Sequence, residues 1–311
     1  MANFDKLVIV TRLTELEELV RRFNTPAQAK FYLEQSGQSF DEIQRAHDRY
    51  SAVVNRVVDS LEPGQKHQRI DRSAVPQFTF ADDDFVITIG QDGLVSNTAK
   101  YLSRQPIFAI NPDPENFDGI LLPFQPDTYY RYLSSALAGD LEKKEVTLAR
   151  ADSSNGQSLL AFNDFFVGAK THVSARYEIE IGGQIENQSS SGIIVSTGAG
   201  STGWLQSVYA GAAGVVQAHG GNFAPSGNSG RLKWDSDRLI YSVREPFPSR
   251  VTQCSMVHGA LSREVPLELR SKMPTNGVIF SDGVEADFIE FNAGTTVTIQ
   301  PAEEKTVLLA A

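Results

Sequence analysis

Short, continuous apolar runs in the first 110 residues predict buried β-strands. They are residues 7–11 (LVIVT), 85–89 (FVITI) and 106–110 (PIFAI), and each is too short for a helix and rich in β-branched or aromatic side chains. Residues 40–61 instead repeat apolar side chains every three or four positions, which predicts a long helix that Pro63 ends. Strands that alternate with helices in this way predict a parallel α/β sheet.

From about residue 146 the chain changes to short β-rich segments separated by Gly, Ser and Asn. Residues 177–181 alternate polar and apolar side chains, and Gly182-Gly183 is typical of a hairpin turn. One helix-like run follows the glycine-rich segment STGAGSTGW, residues 196–204. We therefore predict an α/β domain over residues 1–140 and a mostly β domain over residues 141–295.

The balance of charge limits the classes of partner that the protein can bind. Carboxylates outnumber basic side chains by 38 to 28, and the net charge of −10 argues against a sequence-independent nucleic-acid binder. The single cysteine, Cys254, excludes an internal disulfide and a Cys-based zinc site, and the five histidines lack metal-ligand spacing. Without a signal peptide or a membrane-length apolar run, we expect a cytoplasmic protein that holds no metal of its own and binds no membrane.

The glycines Gly198, Gly200 and Gly203 spell G-x-G-x-x-G, but their context is not that of a dinucleotide fold. No Asp or Glu lies between Glu186 and Asp235 to bind a ribose, and no Lys follows as in a P-loop. Two interpretations stay open. The loop presents backbone N–H groups and hydroxyls to a ligand, or it is a buried turn whose glycines permit close packing.

Two acidic segments are further candidates. Asp92 stands on a predicted tight turn, QDGL, after a buried strand, either as a reactive carboxylate or as the N-cap of the next helix. Asn163-Asp164 interrupts an apolar strand pattern and is either a bulge or a site that binds hydroxyl groups. We expect Asp82, Asp83 and Asp84 to form a solvated turn, and His172, His258 and Asp282 to be structural.

Taken in chain order, these segments resemble the motifs of the NAD kinase family. That family has a Gly-Gly-Asp-Gly loop after a strand, an Asn-Glu pair, and a Thr-Pro-Thr-Gly-Ser-Thr-Ala-Tyr loop. Here they read Gly90-Gln-Asp-Gly93, Asn163-Asp164 and Thr197-Gly-Ala-Gly-Ser-Thr-Gly-Trp204. The mitochondrial-type subgroup and its bacterial relatives look most similar, through residues 109–124, 174–181, 189–201, 242–246, 280–294 and 305–309.

The resemblance implies a phosphofructokinase-like N-terminal domain and a C-terminal β-sandwich, with a last strand near residues 296–311 that returns to the first domain. It implies transfer of the γ-phosphoryl group of ATP to the 2′-hydroxyl of the adenosine ribose of NAD. Mg²⁺ would arrive with ATP. The partners implied are NAD and ATP, and the expected assembly is a homodimer.

The family motifs also imply roles for individual residues. Asp92 would orient or deprotonate the 2′-hydroxyl, with Gly90, Gln91 and Gly93 around it in a nucleotide-binding loop. Asn163 and Asp164 would bind ribose hydroxyls. Gly200, Ser201 and Thr202 would line the NAD pocket, and Gly203 and Trp204 would flank a base. Candidates for the ATP phosphates are Arg12, Lys100, Arg104 and Arg244.

This chain departs from the family pattern at Gln91, Leu94, Asp164 and Ala199. Gln91 adds bulk beside the carboxylate of Asp92, and Asp164 is one methylene shorter than the family glutamate. Two alternatives to an active NAD kinase therefore stay open. One is a catalytically impaired NAD(P)-binding regulatory protein, and the other is a lipid or sugar kinase with the same glycine-Asp loop.

Overall fold

The structure is a computed structural model that describes residues 4–222 and 231–310. The chain divides into two compact units. Unit 1 comprises residues 1–144 and 307–311, and unit 2 comprises residues 145–306. Among the described residues, no helix is both long and apolar enough to cross a membrane.

Unit 1 is built on parallel strands in the order β2–β1–β3–β4. The three apolar runs form β1, β3 and β4, and every residue of β3 and β4 is buried. The end of the last strand of the chain, β16, adds to β4 in parallel. The elements are β1 (Lys6–Thr11), α1 (Glu15–Phe23), α2 (Pro26–Gln35), α3 (Phe40–Asp59), β2 (His67–Asp71), β3 (Asp84–Ile89), α4 (Asp92–Ala99), β4 (Pro106–Ile110) and α5 (Tyr129–Ala138).

Helix α3 is the long helix that the periodicity predicts. It buries Tyr50, Val53, Val54 and Val57, which join the apolar core over the sheet. A capping box begins α1, because the side chains of Thr14 and Glu17 each accept the other's backbone N–H.

Unit 2 consists mainly of antiparallel strands. One sheet has the order β12–β11–β10–β7–β14–β15, and a second group of strands pairs β9 with β8, β8 with β13 and β13 with the start of β16. Their apolar side chains meet in one core. The elements are β5 (Lys143–Ser153, which begins in unit 1), β6 (Ser158–Ala161), β7 (Asp164–Ala169), β8 (Ala175–Ile181), β9 (Gln184–Ser190), β10 (Ile193–Ser196), α6 (Trp204–Ala218), β11 (Leu239–Val243), β12 (His258–Leu261), β13 (Leu267–Ser271), β14 (Gly277–Ser281), β15 (Val284–Glu290) and β16 (Thr296–Leu309).

Two local predictions in unit 1 are wrong. The segment QDGL is no separate tight turn, since α4 already begins at Asp92 and Gln91 is its N-cap residue. Asp82 and Asp83 do form an exposed turn, but Asp84 is not solvated. Its carboxylate is buried, lies 3.4 Å from the ammonium of Lys6, and accepts the N–H of Ala81 at 2.9 Å. A buried carboxylate with a cationic and a backbone partner is a structural group, so it adds nothing to the candidate site.

Candidate functional site

Asp92 lies in the first turn of α4, directly after the carboxyl end of β3. Its Oδ1 accepts the backbone N–H of Leu121 at 2.8 Å, and the structure shows no capping bond from a side chain at the start of α4. The interpretation of Asp92 as an N-cap is therefore wrong. One carboxylate oxygen is anchored to a neighbouring loop, and no hydrogen bond to Oδ2 is present among the described residues, which suits Oδ2 to a ligand hydroxyl.

The loop before Asp92 is shaped by Leu94. A Cβ atom on Gly90 would lie 2.8 Å from Cδ2 of Leu94, and Leu94 is buried at 2% exposure. Packing against Leu94 therefore requires glycine at position 90. At Gly93, by contrast, a Cβ would meet nothing within 4 Å, so its glycine has no packing cause in this structure.

A cleft of about 520 Å³ opens in unit 1 beside this loop. Arginines and carboxylates both line it, so it is polar and holds charges of either sign. The lining residues are Arg12, Thr14, Glu15, Glu42, Ile43, Arg45, Ala46, His47, Arg49, Tyr50, Gln91, Pro112, Asp113, Asn116 and Phe117.

In unit 2, Asn163 does not lie inside a strand as the sequence pattern suggested. The apolar run breaks into β6 and β7 at Phe162 and Asn163, and Asp164 begins β7. The carboxylate of Asp282 holds this break, because it accepts the N–H groups of Phe162 at 2.9 Å and Asn163 at 2.6 Å. The sequence pattern indicated only a turn residue at Asp282, whose φ of 53° fits a turn, and gave no sign of this anchoring.

Asp164 carries a buried carboxylate that lacks a hydrogen-bond donor among the described residues. The residue is 8% exposed. Burial, and secondarily the negative charge of Asp282, raise its pKa to about 7. An isolated buried carboxylate is costly unless a donor reaches it, so this group is arranged to receive hydroxyl or N–H donors from a ligand.

The glycine-rich loop packs directly against this break. Thr197 donates its hydroxyl to the carbonyl of Phe162 at 2.6 Å and accepts the N–H of Gly200 at 3.1 Å. A Cβ on Gly200 would lie 2.0 Å from the carbonyl oxygen of Asn163, and one on Gly198 would lie 1.9 Å from that of Lys233. One interpretation of the glycine-rich loop was a buried turn whose glycines permit close packing, and such packing is present at Gly198 and Gly200. The structure therefore brings residues 162–164 and 197–200 together.

The remaining loop residues differ in what they can offer a ligand. The hydroxyl of Ser201 donates to the carbonyl of Gly198 at 2.7 Å and accepts the N–H of Leu232 at 3.3 Å, so its bonding capacity is used within the protein. Thr202 and Gly203 are exposed and directly precede α6. Their predicted contact with NAD stays a prediction.

Trp204 faces a second cleft, of about 560 Å³, within unit 2. Its ring stacks on Phe166 at 5.9 Å between centroids, and the guanidinium of Arg244 lies 5.5 Å from its centroid. Gly168 and Gly192 make room for Phe166, since a Cβ on either would lie within 2.7 Å of that ring. The cleft is lined by aromatic, basic and hydroxyl side chains, which include Phe166, Lys170, Thr171, His172, Ser174, Ser191, Trp204, Arg244, Phe280, Glu285 and Phe288.

No group of three or more His, Cys, Asp or Glu side chains is placed to hold a metal ion in the part of the chain that the structure describes. His258 contacts the hydroxyl of Tyr209 at 3.4 Å, and burial lowers its pKa.

Asp164→Asn is expected to flatten the pH dependence of stability. Because burial raises the folded-state pKa above the unfolded value of 3.8 to about 7, the folded protein binds this proton more tightly. Stability should therefore fall as pH rises between about 4 and 7, by up to about 4 kcal/mol from this group. Melting temperatures of both proteins from pH 4.5 to 8 measure this, and parallel curves would contradict it.

No family model matches this chain. It is 23% identical over 374 residues to human "NAD kinase 2, mitochondrial", an alignment that covers 98% of this chain and 84% of the relative.

Two solved structures share its fold. A yeast NADH kinase complexed with NADH aligns with a TM-score of 0.60 at 14% identity, over 98% of this chain and 83% of that one. An NAD kinase from Archaeoglobus fulgidus in complex with ATP aligns with a TM-score of 0.56 at 16% identity, over 98% and 93% of the two chains. With its three ordered motifs, the chain is similar in sequence to curated NAD kinases and shares the fold of solved NAD and NADH kinases.

Proposed function

We propose that this protein is an ATP-dependent NAD kinase, which transfers the γ-phosphoryl group of ATP to the adenosine-ribose 2′-hydroxyl of NAD. The observation that carries the proposal is the buried carboxylate of Asp164, which has no donor among the described residues. A ribose supplies neighbouring hydroxyl donors. The solved relatives support both substrates, since their structures contain ATP and NADH respectively.

Unit 2 supplies the groups that bind NAD. Asp164 accepts a ribose hydroxyl, and the side-chain amide of Asn163 both donates and accepts. Asp282 keeps these two residues in place through their backbone N–H groups. The second cleft has aromatic rings for a planar base and the cations Lys170 and Arg244 for pyrophosphate oxygens.

The carboxylate of Asp92 is the proposed proton acceptor. Its Oδ2 accepts the proton of the 2′-hydroxyl as the ribose oxygen forms its bond to the γ-phosphorus. The bond between that phosphorus and the β,γ-bridging oxygen breaks, ADP leaves with the electron pair, and the proton passes from Asp92 to water. Positioning and neutralisation of charge supply most of the acceleration in such transfers. Mg²⁺ comes bound to the ATP phosphates and neutralises their charge.

The comparisons favour neither the regulatory binder nor the lipid or sugar kinase as an alternative. A cytoplasmic location and a homodimeric assembly, which composition and resemblance imply, belong to the same proposal.

Ligand binding at Asp164 tests this function without turnover. We expect NAD and AMP to raise the melting temperature of the protein, and 2′,3′-dideoxy-AMP to raise it far less because it offers no hydroxyl donor at these positions. Asp164→Ala should remove the difference between AMP and its dideoxy analogue. Equal stabilisation of the wild-type protein by both nucleotides would contradict the assignment of Asp164 to the ribose.

A further inference from the structure

Four basic residues are candidates from the sequence to bind the phosphates of ATP, and the structure places them differently. Lys100 is the C-cap residue of α4, and the eight residues of that helix place its backbone about 12 Å along the helix axis from Asp92. Arg104 lies four residues further along the chain, outside the helix. Arg244 lies in unit 2 beside Trp204. Arg12 differs, because it directly follows β1, the parallel neighbour of β3. Arg12 therefore shares the carboxyl edge of the sheet with the Asp92 loop.

Tyr50 on α3 joins Arg12 to that loop. Its buried hydroxyl accepts the backbone N–H of Arg12 at 2.9 Å and donates to the carbonyl of Ile89, also at 2.9 Å. Ile89 is the last residue of β3, and Asp92 follows three residues later. A single hydroxyl thus fixes the end of β1 against the start of the loop that carries Asp92.

The guanidinium of Arg12 is held over the same side chain. Its carbon lies 5.4 Å from the centroid of the Tyr50 ring, and Nη1 donates to the carbonyl of Leu13 at 3.1 Å. Nε is buried and has no hydrogen-bond partner among the described residues. Both Arg12 and Gln91 line the cleft in unit 1. A buried N–H donor beside a cleft requires an acceptor, and phosphate oxygens suit a guanidinium.

The other charged side chains that line the cleft are less suited than Arg12 to bind a phosphate. Arg49 is already paired with Asp113 at 3.1 Å. Arg45 is an exposed side chain on α3, and the carboxylates of Glu15 and Glu42 also line the cleft and repel an anion. Arg12 alone among these arginines combines a fixed orientation with a buried donor that has no partner in the described chain.

We propose that Arg12 binds the phosphate chain of the phosphoryl donor, and that Tyr50 is a positioning residue that sets Arg12 against the Asp92 loop. The ligand class is a triphosphate, with the nucleoside not required for this contact. The assignment rests on the proposed function for its place in the reaction, but phosphate binding at Arg12 is testable without it.

Steady-state kinetics of three variants test the assignment when NADP is formed. Arg12→Gln should raise KM for ATP about ten- to hundredfold, as for loss of a hydrogen bond to a charged group, with KM for NAD changed less than about twofold. Tyr50→Phe keeps the ring and removes both hydroxyl bonds, so KM for ATP should rise severalfold while KM for NAD does not. Arg104→Gln is the matched control and should behave as wild type. An unchanged KM for ATP in Arg12→Gln, or equal rises for both substrates, overturns the proposal.

Thermal shifts with inorganic tripolyphosphate give a readout independent of activity. At constant ionic strength, tripolyphosphate should raise the melting temperature of the wild type and of Arg104→Gln but not that of Arg12→Gln. If no NADP is formed and this pattern holds, the phosphate site stands and the proposed function fails. An equal shift in Arg12→Gln overturns the site, whatever the activity. Circular dichroism of each variant confirms that the comparison is between folded proteins.

Discussion

Asp92→Asn is expected to lose NADP formation by about a hundred- to ten-thousandfold, the range that a positioned general base contributes. Asparagine has nearly the same shape, and its carbonyl oxygen can still accept the N–H of Leu121 that Oδ1 accepts in the wild type. The fold of the loop should therefore persist. What is lost is the second carboxylate oxygen, the acceptor for the ribose proton. The measurement is the initial rate of NADP formation at saturating ATP, Mg²⁺ and NAD.

The control for this variant is binding. NAD should raise the melting temperature of Asp92→Asn as much as that of the wild type, because the groups proposed to bind NAD lie in unit 2. Activity within about tenfold of the wild type would show that Asp92 is not the proton acceptor.

Gly198→Ala is expected to produce the largest loss of stability. The added Cβ would lie 1.9 Å from the carbonyl oxygen of Lys233 and 2.7 Å from its carbonyl carbon, so the backbone itself must move. Overpacking typically costs about 1–3 kcal/mol, and contact with backbone atoms puts this variant at the upper end. A loss of about 3 kcal/mol corresponds to a fall in melting temperature of about 10 °C for a unit of this size. Binding of NAD should weaken as well, since the hydroxyl of Thr197 in this loop donates to the carbonyls of Phe162 and Asn163.

Gly214→Ala is the matched control for that variant. Gly214 lies within α6, and a Cβ there would meet nothing within 4 Å. Alanine in a helix interior is favoured over glycine by about 0.5–1 kcal/mol, so the melting temperature should hold or rise. If both variants melt at the wild-type temperature, the close packing of the glycine-rich loop does not contribute to stability.

Much of the fold could be predicted because the buried strands are recognisable in the sequence as apolar runs. The runs that became β1, β3 and β4 are apolar at nearly every position, and the Gly182-Gly183 hairpin joins β8 and β9 in register. Two of the elements that the sequence did not reveal are largely exposed. Strand β2 buries only Ile70, and α2 buries only Ala29 and Leu33, so neither produced a hydrophobic period.

The candidate site was likewise only partly predictable from the sequence. The sequence located Asp92, Asn163-Asp164 and the glycine-rich loop, because unusual residue types stand there among apolar neighbours. It could not identify Asp282 or Tyr50 as anchors. Their hydrogen bonds reach backbone groups 118 to 120 and 38 to 39 positions away along the chain, and only the folded topology brings such groups together. That no described residue donates a hydrogen bond to the carboxylate of Asp164 is likewise a property of the fold, not of the local sequence.

The most direct measurement of the central claim is identification of the product that the purified protein makes from ATP, Mg²⁺ and NAD. A strictly NADP-dependent dehydrogenase, added as the detector, responds only when the phosphate stands on the 2′-oxygen of the adenosine ribose. The account predicts a detector signal that grows with one ADP for each NADP and disappears in Asp92→Asn. Binding of NAD with no NADP formed, in a protein that also consumes no ATP, would contradict it and would indicate a binding protein instead.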